Sequence, residues 1–284
     1  MAMKSTSKIW LGVGLFVTGA AAAAPPAAAN DLQRDHGLLT AQPSAHPQWI
    51  LMQHNAHGSE GGEAGEAGVP ADLPPDFQFA LTLALIRGHL LVGDELVNAG
   101  QWDGALPHFL HPTEELYDGI KEKVTNYNTP PFADALLKLA DVVKAKRSAD
   151  YPAAVAAVAS ALAAGDAGLK AREADWPSFM VATAVMALKS AAGEYGEAIV
   201  KGRIAKPVEY QDSRGFVWHA EQMIESVAPE LERKDPSALK SLRASFAQLK
   251  KIWPSPMPPK TPVKTAAAMA ADVTAIQRSA AKLM

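Results

Sequence analysis

The chain has 284 residues, with 27 Lys and Arg against 30 Asp and Glu and no cysteine, which excludes disulfides, thiol catalysis, iron–sulfur clusters and cysteine-ligated zinc. Its net charge of −3 is spread without a basic run longer than Lys250-Lys251, so there is no electrostatic footprint for nucleic acid. Apolar residues make up 48% of the chain but aromatics only 7%. Much of that difference is alanine, which favours helix and close helix packing, and the expectation is an all-α protein.

Lys4 and Lys8 precede an apolar stretch from Ile9 to Ala24, and Ala27-Ala28-Ala29 offers small residues for cleavage before Asn30. Residues 1–29 therefore read as a signal peptide. A membrane anchor is the weaker reading, because the apolar run is shorter than the roughly 20 residues a span needs and ends in Pro25-Pro26. The longest later apolar stretch, Phe79 to Val97, is interrupted by Arg87, His89, Asp94 and Glu95. The mature chain is thus expected to be periplasmic or secreted, without membrane insertion.

Residues 30–75 hold five prolines and a Gly/Glu run from Gly58 to Gly68, a composition that buries too little apolar surface to offset chain entropy and predicts a flexible tail. From Asp76 the pattern turns helical. Leu81, Leu85, Gly88/His89, Val92 and Leu96 share one helix face, and Gly100 closes it. A second helical stretch runs from Trp102 towards Asn126, with Pro112 starting a new helix or kinking a continuous one. Phe132 to Lys146 follows with Leu136, Leu139, Val142 and Val143 inward, then an Ala-rich helix from Pro152 to Ala164. Gly165 to Asp175 reads as the internal boundary. Four more stretches follow: Pro177 to Lys201, Pro207 to Glu232, Pro236 to Trp253 and Thr261 to Leu283. The result is an antiparallel bundle of seven or eight helices, arranged as sub-bundles 76–165 and 175–284 or as one domain 76–284.

Bundle cores hold metals through His and carboxylates projecting inward from facing helices, and three groups have those residue types. In the tail, His54, His57, Glu60 and Glu63 lie close together among glycines and offer a weak cation site, or simply a solvated linker. On the first hairpin, His89 lies in an apolar stripe flanked by Gly88 and Gly93. His108, His111 and Glu115 share one face if the second helix is continuous, and a short Gly100 turn would bring them towards His89. On the later helices, Glu194 sits on an otherwise apolar stripe with Met180, and Glu209, Asp212, Phe216, His219 and Met223 share another across the Gly202 turn. Buried carboxylates need compensation, either from a cation or from Arg203 and Arg214.

The later helices also carry a resemblance. Glu194-Tyr195-Gly196-Glu197-Ala198, the Gly202 helix end and the run Glu209-Tyr210-Gln211-Asp212-Ser213-Arg214-Gly215-Phe216 resemble the extracytoplasmic helical module attached to bacterial FTR1-type iron permeases, over about Ala191 to Ala220. The permease's Arg-Glu-x-x-Glu transport motif is absent: Arg172-Glu173-Ala174-Asp175-Trp176 stops short of it. The resemblance therefore implies iron handling and a permease partner, not transport itself. His111-Pro112-Thr113-Glu114 is similar to the His-x-x-Glu of imelysin-like periplasmic iron proteins.

No Gly-x-Ser-x-Gly elbow, phosphate loop or His-Glu-x-x-His occurs, and the paired Glu-x-x-His expected of a carboxylate-bridged oxidase is missing. The sequence thus points to a non-enzymatic, exported metal-binding protein serving iron uptake or handling, with iron favoured over copper or zinc. The alternative is a metal-free helical interaction module that docks on a membrane permease or another envelope partner.

Overall fold

Proline placement sets where most of the helices begin. Its missing N–H costs nothing in a first helical turn and its fixed φ suits the helix. In the computed structural model, which describes residues 68–284, prolines open α1 (Pro75–Asn98), α3 (Pro107–His111), α6 (Trp176–Ala198), α7 (Pro207–Ser226), α8 (Ala228–Lys234) and α9 (Pro236–Leu249). Pro152 likewise opens α5 (Tyr151–Lys170), and the remaining helices are α2 (Trp102–Ala105), α4 (Ala133–Lys144) and α10 (Ala266–Ala280). Side-chain caps from Asp175, Asp235 and Thr265 satisfy first-turn N–H groups of α6, α9 and α10. The described residues are all-α apart from one two-residue pairing of Ile199–Val200 with Arg203–Ile204. There Lys201 and Gly202 both take positive φ, the backbone a tight hairpin demands, and α7 is sent back antiparallel to α6. The expected signal peptide 1–29 and the tail residues His54, His57, Glu60 and Glu63 lie outside the described residues.

α1 is the central helix. The periodicity expected one buried face, but Phe79 to Ile86 are all buried because α7, α6, α3, α2 and α5 pack around it. A helix covered on all sides needs no polar face. Its closest neighbour is α7, and glycine sets that distance. A Cβ on Gly215 would lie 2.1 Å from the Gly88 carbonyl oxygen, and one on Gly88 would lie 2.4 Å from the Phe216 ring. α6, α7, α9 and α10 pack mutually as a four-helix group. Within it Tyr195, Tyr210 and Trp253 form a buried aromatic cluster. The Tyr195 hydroxyl donates to Lys264 O (2.8 Å) and Trp253 Nε1 to Tyr210 O (3.1 Å), which ties the proline-rich segment after α9 to the α6–α7 pair.

Four segments differ from the sequence expectation, each for a local reason. The stretch after Trp102 is not one helix: α3 runs into a π turn at Pro112–Leu116 and then 3₁₀ turns at Tyr117–Gly119 and Val124–Tyr127, since Pro112 cannot donate the next helical bond. The stretch from Pro207 breaks at Val227, two residues before Pro229, giving α7 and α8. In contrast, α5 does not stop at Ala164 but continues to Lys170. Its glycines are packing devices, for a Cβ on Gly168 would lie 1.8 Å from Tyr127 O and one on Gly165 2.7 Å from Leu83. Among the described residues α5 is also the one helix long and apolar enough to cross a membrane by length and composition, with a mean hydropathy of 1.4. It packs here against α4 and α1. Residues 68–74, counted with the tail from composition, are also held: Val69 and Leu73 pack on the core, and Gln78 Nε2 donates to the carbonyls of Ala71 (2.9 Å) and Leu73 (2.6 Å).

Candidate metal centre

The Gly88–Gly215 crossing places His89 of α1 beside Asp212 of α7, three residues before the glycine on that helix. His89 is buried; its Nδ1 donates to Leu85 O at 2.9 Å, and its Nε2 lies 3.5 Å from Asp212 Oδ1. Phe216 packs edge-on against the same imidazole, with ring centroids 4.9 Å apart. The second contribution comes from α3, which Gly93 lets close to α1: a Cβ there would lie 2.7 Å from the Phe109 ring and 3.3 Å from His108 Cβ. His108 is fully buried, with Nδ1 2.7 Å from Asp212 Oδ1 and Nε2 2.9 Å from Gln211 Oε1. The Gln211 amide nitrogen donates to Pro256 O at 3.2 Å, so its oxygen must be the atom facing His108. A ring with acceptors on both nitrogens is satisfied as the imidazolium. His108 therefore orients and neutralises Asp212 and has no nitrogen left for a metal.

His111 is the last residue of α3. Its Nδ1 lies 3.7 Å from Asp212 Oδ2, and one ligand atom from each of His89, His111 and Asp212 lies within 4.8 Å of the others. The charges on Asp212 follow from this crowd of imidazoles. Burial alone would push its carboxyl up, but attraction to His89 and His108 and hydrogen bonds from His108 and His111 outweigh it and hold the carboxyl well below the usual carboxylate range. Arg214, a candidate partner for the buried acids, instead makes a bidentate pair with Glu95 at 2.8 and 2.7 Å, donates to Trp253 O at 2.9 Å and stacks on Trp218. Arg203 stands exposed in the hairpin.

A cavity of about 680 Å³ opens beside the cluster, with His89, Phe216 and the buried Glu194 on its wall and Glu115, exposed in the π turn, at its edge. Two imidazoles and a carboxylate that converge within 4.8 Å, beside a cavity that His89, Glu194 and Glu115 line, are donors suited to Fe(II) or zinc and not to magnesium. The structure thus draws His89, His108, His111 and Asp212 into one centre, with Glu194 and Glu115 on the adjoining wall. Glu209 lies apart, 3.4 Å from Lys206. His219 also lies apart, hydrogen-bonded to Gln222. Gln211 appears in the sequence only as one residue of the Glu209–Phe216 run, and its role comes from the two hydrogen bonds that join it to His108 and Pro256.

Residues 170–284 match the model of the iron permease-associated 4-helix bundle domain. This segment holds α6 to α10 and contains Asp212, Gln211 and Glu194, whereas His89, His108 and His111 come from the preceding residues. No curated protein and no solved structure matches the chain.

Proposed function

We propose that this is an exported protein of the cell envelope that binds iron as cargo and works with an iron permease, holding the ion through His89 Nε2, His111 Nδ1 and the Asp212 carboxylate. The convergence of these three ligand atoms within 4.8 Å, from helices far apart in sequence, carries the reading. The donor set suits Fe(II) or zinc, and the iron permease-associated domain that residues 170–284 match favours iron between them. His89 is oriented by its bond to Leu85 O, His108 orients Asp212, and the cavity gives an ion a path to the centre. Binding without catalysis is the activity proposed, since the ion would pass through this site as cargo.

One observation favours a second reading. Asp212 already has its charge balanced by His108, so the cluster can stand without a cation as the polar centre of a module that docks on a permease. Anaerobic titration of chelator-treated protein with Fe²⁺ separates the two. Metal handling predicts saturable binding, a melting temperature raised by an amount equivalent to about 2.7 kcal/mol at a hundredfold excess over Kd, and loss of both in His89→Gln. Absence of binding in the wild type leaves only the docking module.

A further inference from the structure

His219 stands two turns beyond Asp212 on α7 and is buried against a different space, a cavity of about 290 Å³ that it shares with Met180 and Met223. His219 and Met223 are four residues apart on one helix face. The Ser213 hydroxyl bonded to Ala191 O at 2.6 Å fixes the register of antiparallel α6 and α7, and that register brings Met180 level with Met223. We propose that Met180, His219 and Met223 form a second, independent site for a soft monovalent cation, Cu(I) or its analogue Ag(I).

The chemistry of the pocket selects for such an ion. Two thioethers and an imidazole are neutral, polarizable donors of the kind Cu(I) prefers. Gln222 Oε1 accepts from His219 Nδ1 at 3.3 Å, which leaves Nε2 as the lone-pair atom. Burial and the nearby Arg87 lower the His219 pKa to about 3, so the ring is in its ligand form across the physiological range. Arg87 also lines the cavity, paired with Asp166 by two bonds of 3.1 and 2.7 Å. Asp166 lines the cavity as well, so the two charges offset each other and the neutral thioethers and imidazole set the preference for a soft ion.

The test uses the full chain with labelled methionine methyls, followed by NMR during titration with Ag⁺ and, separately, Zn²⁺. Met180→Leu and Met223→Leu, which conserve volume, assign the two resonances independently. The proposal expects both methyl signals to move with the first equivalents of Ag⁺ and to ignore Zn²⁺, and His219→Gln to weaken Ag⁺ binding at least tenfold while the melting temperature stays at or above wild type. It is overturned if Ag⁺ shifts other methionines and leaves these two unmoved, or if His219→Gln binds Ag⁺ as the wild type does.

Discussion

Asp212 and His219 share one face of α7, yet the two ends of that face have opposite electrostatics. At Asp212 three imidazoles surround a single carboxylate and hold it ionised. At His219 a single imidazole shares its cavity with two thioethers and the Arg87–Asp166 pair and is held neutral. The same helix period produces both, so the face a residue occupies does not decide its chemistry. The helices packed opposite do: α1 and α3 bring histidines to one end, whereas Arg87 of α1 and Met180 of α6 flank the other.

The sharpest way to break the contrast is to remove the carboxylate. Asp212→Asn keeps the shape but leaves the His108 charge buried without its partner, and chemical denaturation should show a loss of about 3 kcal/mol or more. Were the loss small, His108 would be neutral and the proton assignment at this end wrong. Gly215→Ala acts on the packing instead. Its Cβ would sit on the Gly88 carbonyl, so α1 and α7 must separate, at a cost of about 2–3 kcal/mol, and Fe²⁺ affinity should fall together with stability. Retained affinity in this variant would show that the centre does not depend on that crossing.

At the His219 end the contrast can be read from pH. The folded pKa of about 3 lies below the unfolded value of 6.5, so between those values the unfolded chain binds the proton that the fold refuses. This contribution to stability is full above pH 6.5 and declines by about 1.4 kcal/mol per pH unit as pH falls towards 3. His219→Gln in the metal-free protein removes this pH dependence, and denaturation at pH 7, 5.5 and 4.5 should show the gap between variant and wild type shifting in the variant's favour as pH drops. Parallel curves would mean that His219 is not buried as described. The smallest effect belongs to Glu209→Gln: this carboxylate meets an exposed Lys206 across solvent, so melting temperature and Fe²⁺ affinity should both stay at wild-type values. A clear fall in affinity would return Glu209 to the metal centre.

Much of the fold is legible in residue spacing. The stripe Leu136, Leu139, Val142 and Val143 is buried in α4 as its period requires, and helix starts fall at prolines. What spacing cannot show is which helix a given stripe meets. His89, His108 and His111 group through a short connection, a local fact that Gly100 and Gly93 announce. Asp212 joins them across more than a hundred residues, through Gly88 against Gly215, and one glycine on each of two helices does not identify its partner. The same limit applies to Gly165 and Gly168, which read as a boundary because glycine marks turns and helix contacts alike. Glu209 and His219 share a face with Asp212 in sequence, but Lys206 meets one and Arg87 the other.

The central claim is that His89, His111 and Asp212 hold a cation together. Anomalous diffraction at the iron edge from crystals of the Fe²⁺-loaded protein tests it most directly. The account predicts a peak about 2.1 Å from His89 Nε2, His111 Nδ1 and an Asp212 oxygen, with His108 still bonded to both Asp212 and Gln211. A peak elsewhere, with His89 and His111 where they stand without metal, would contradict it.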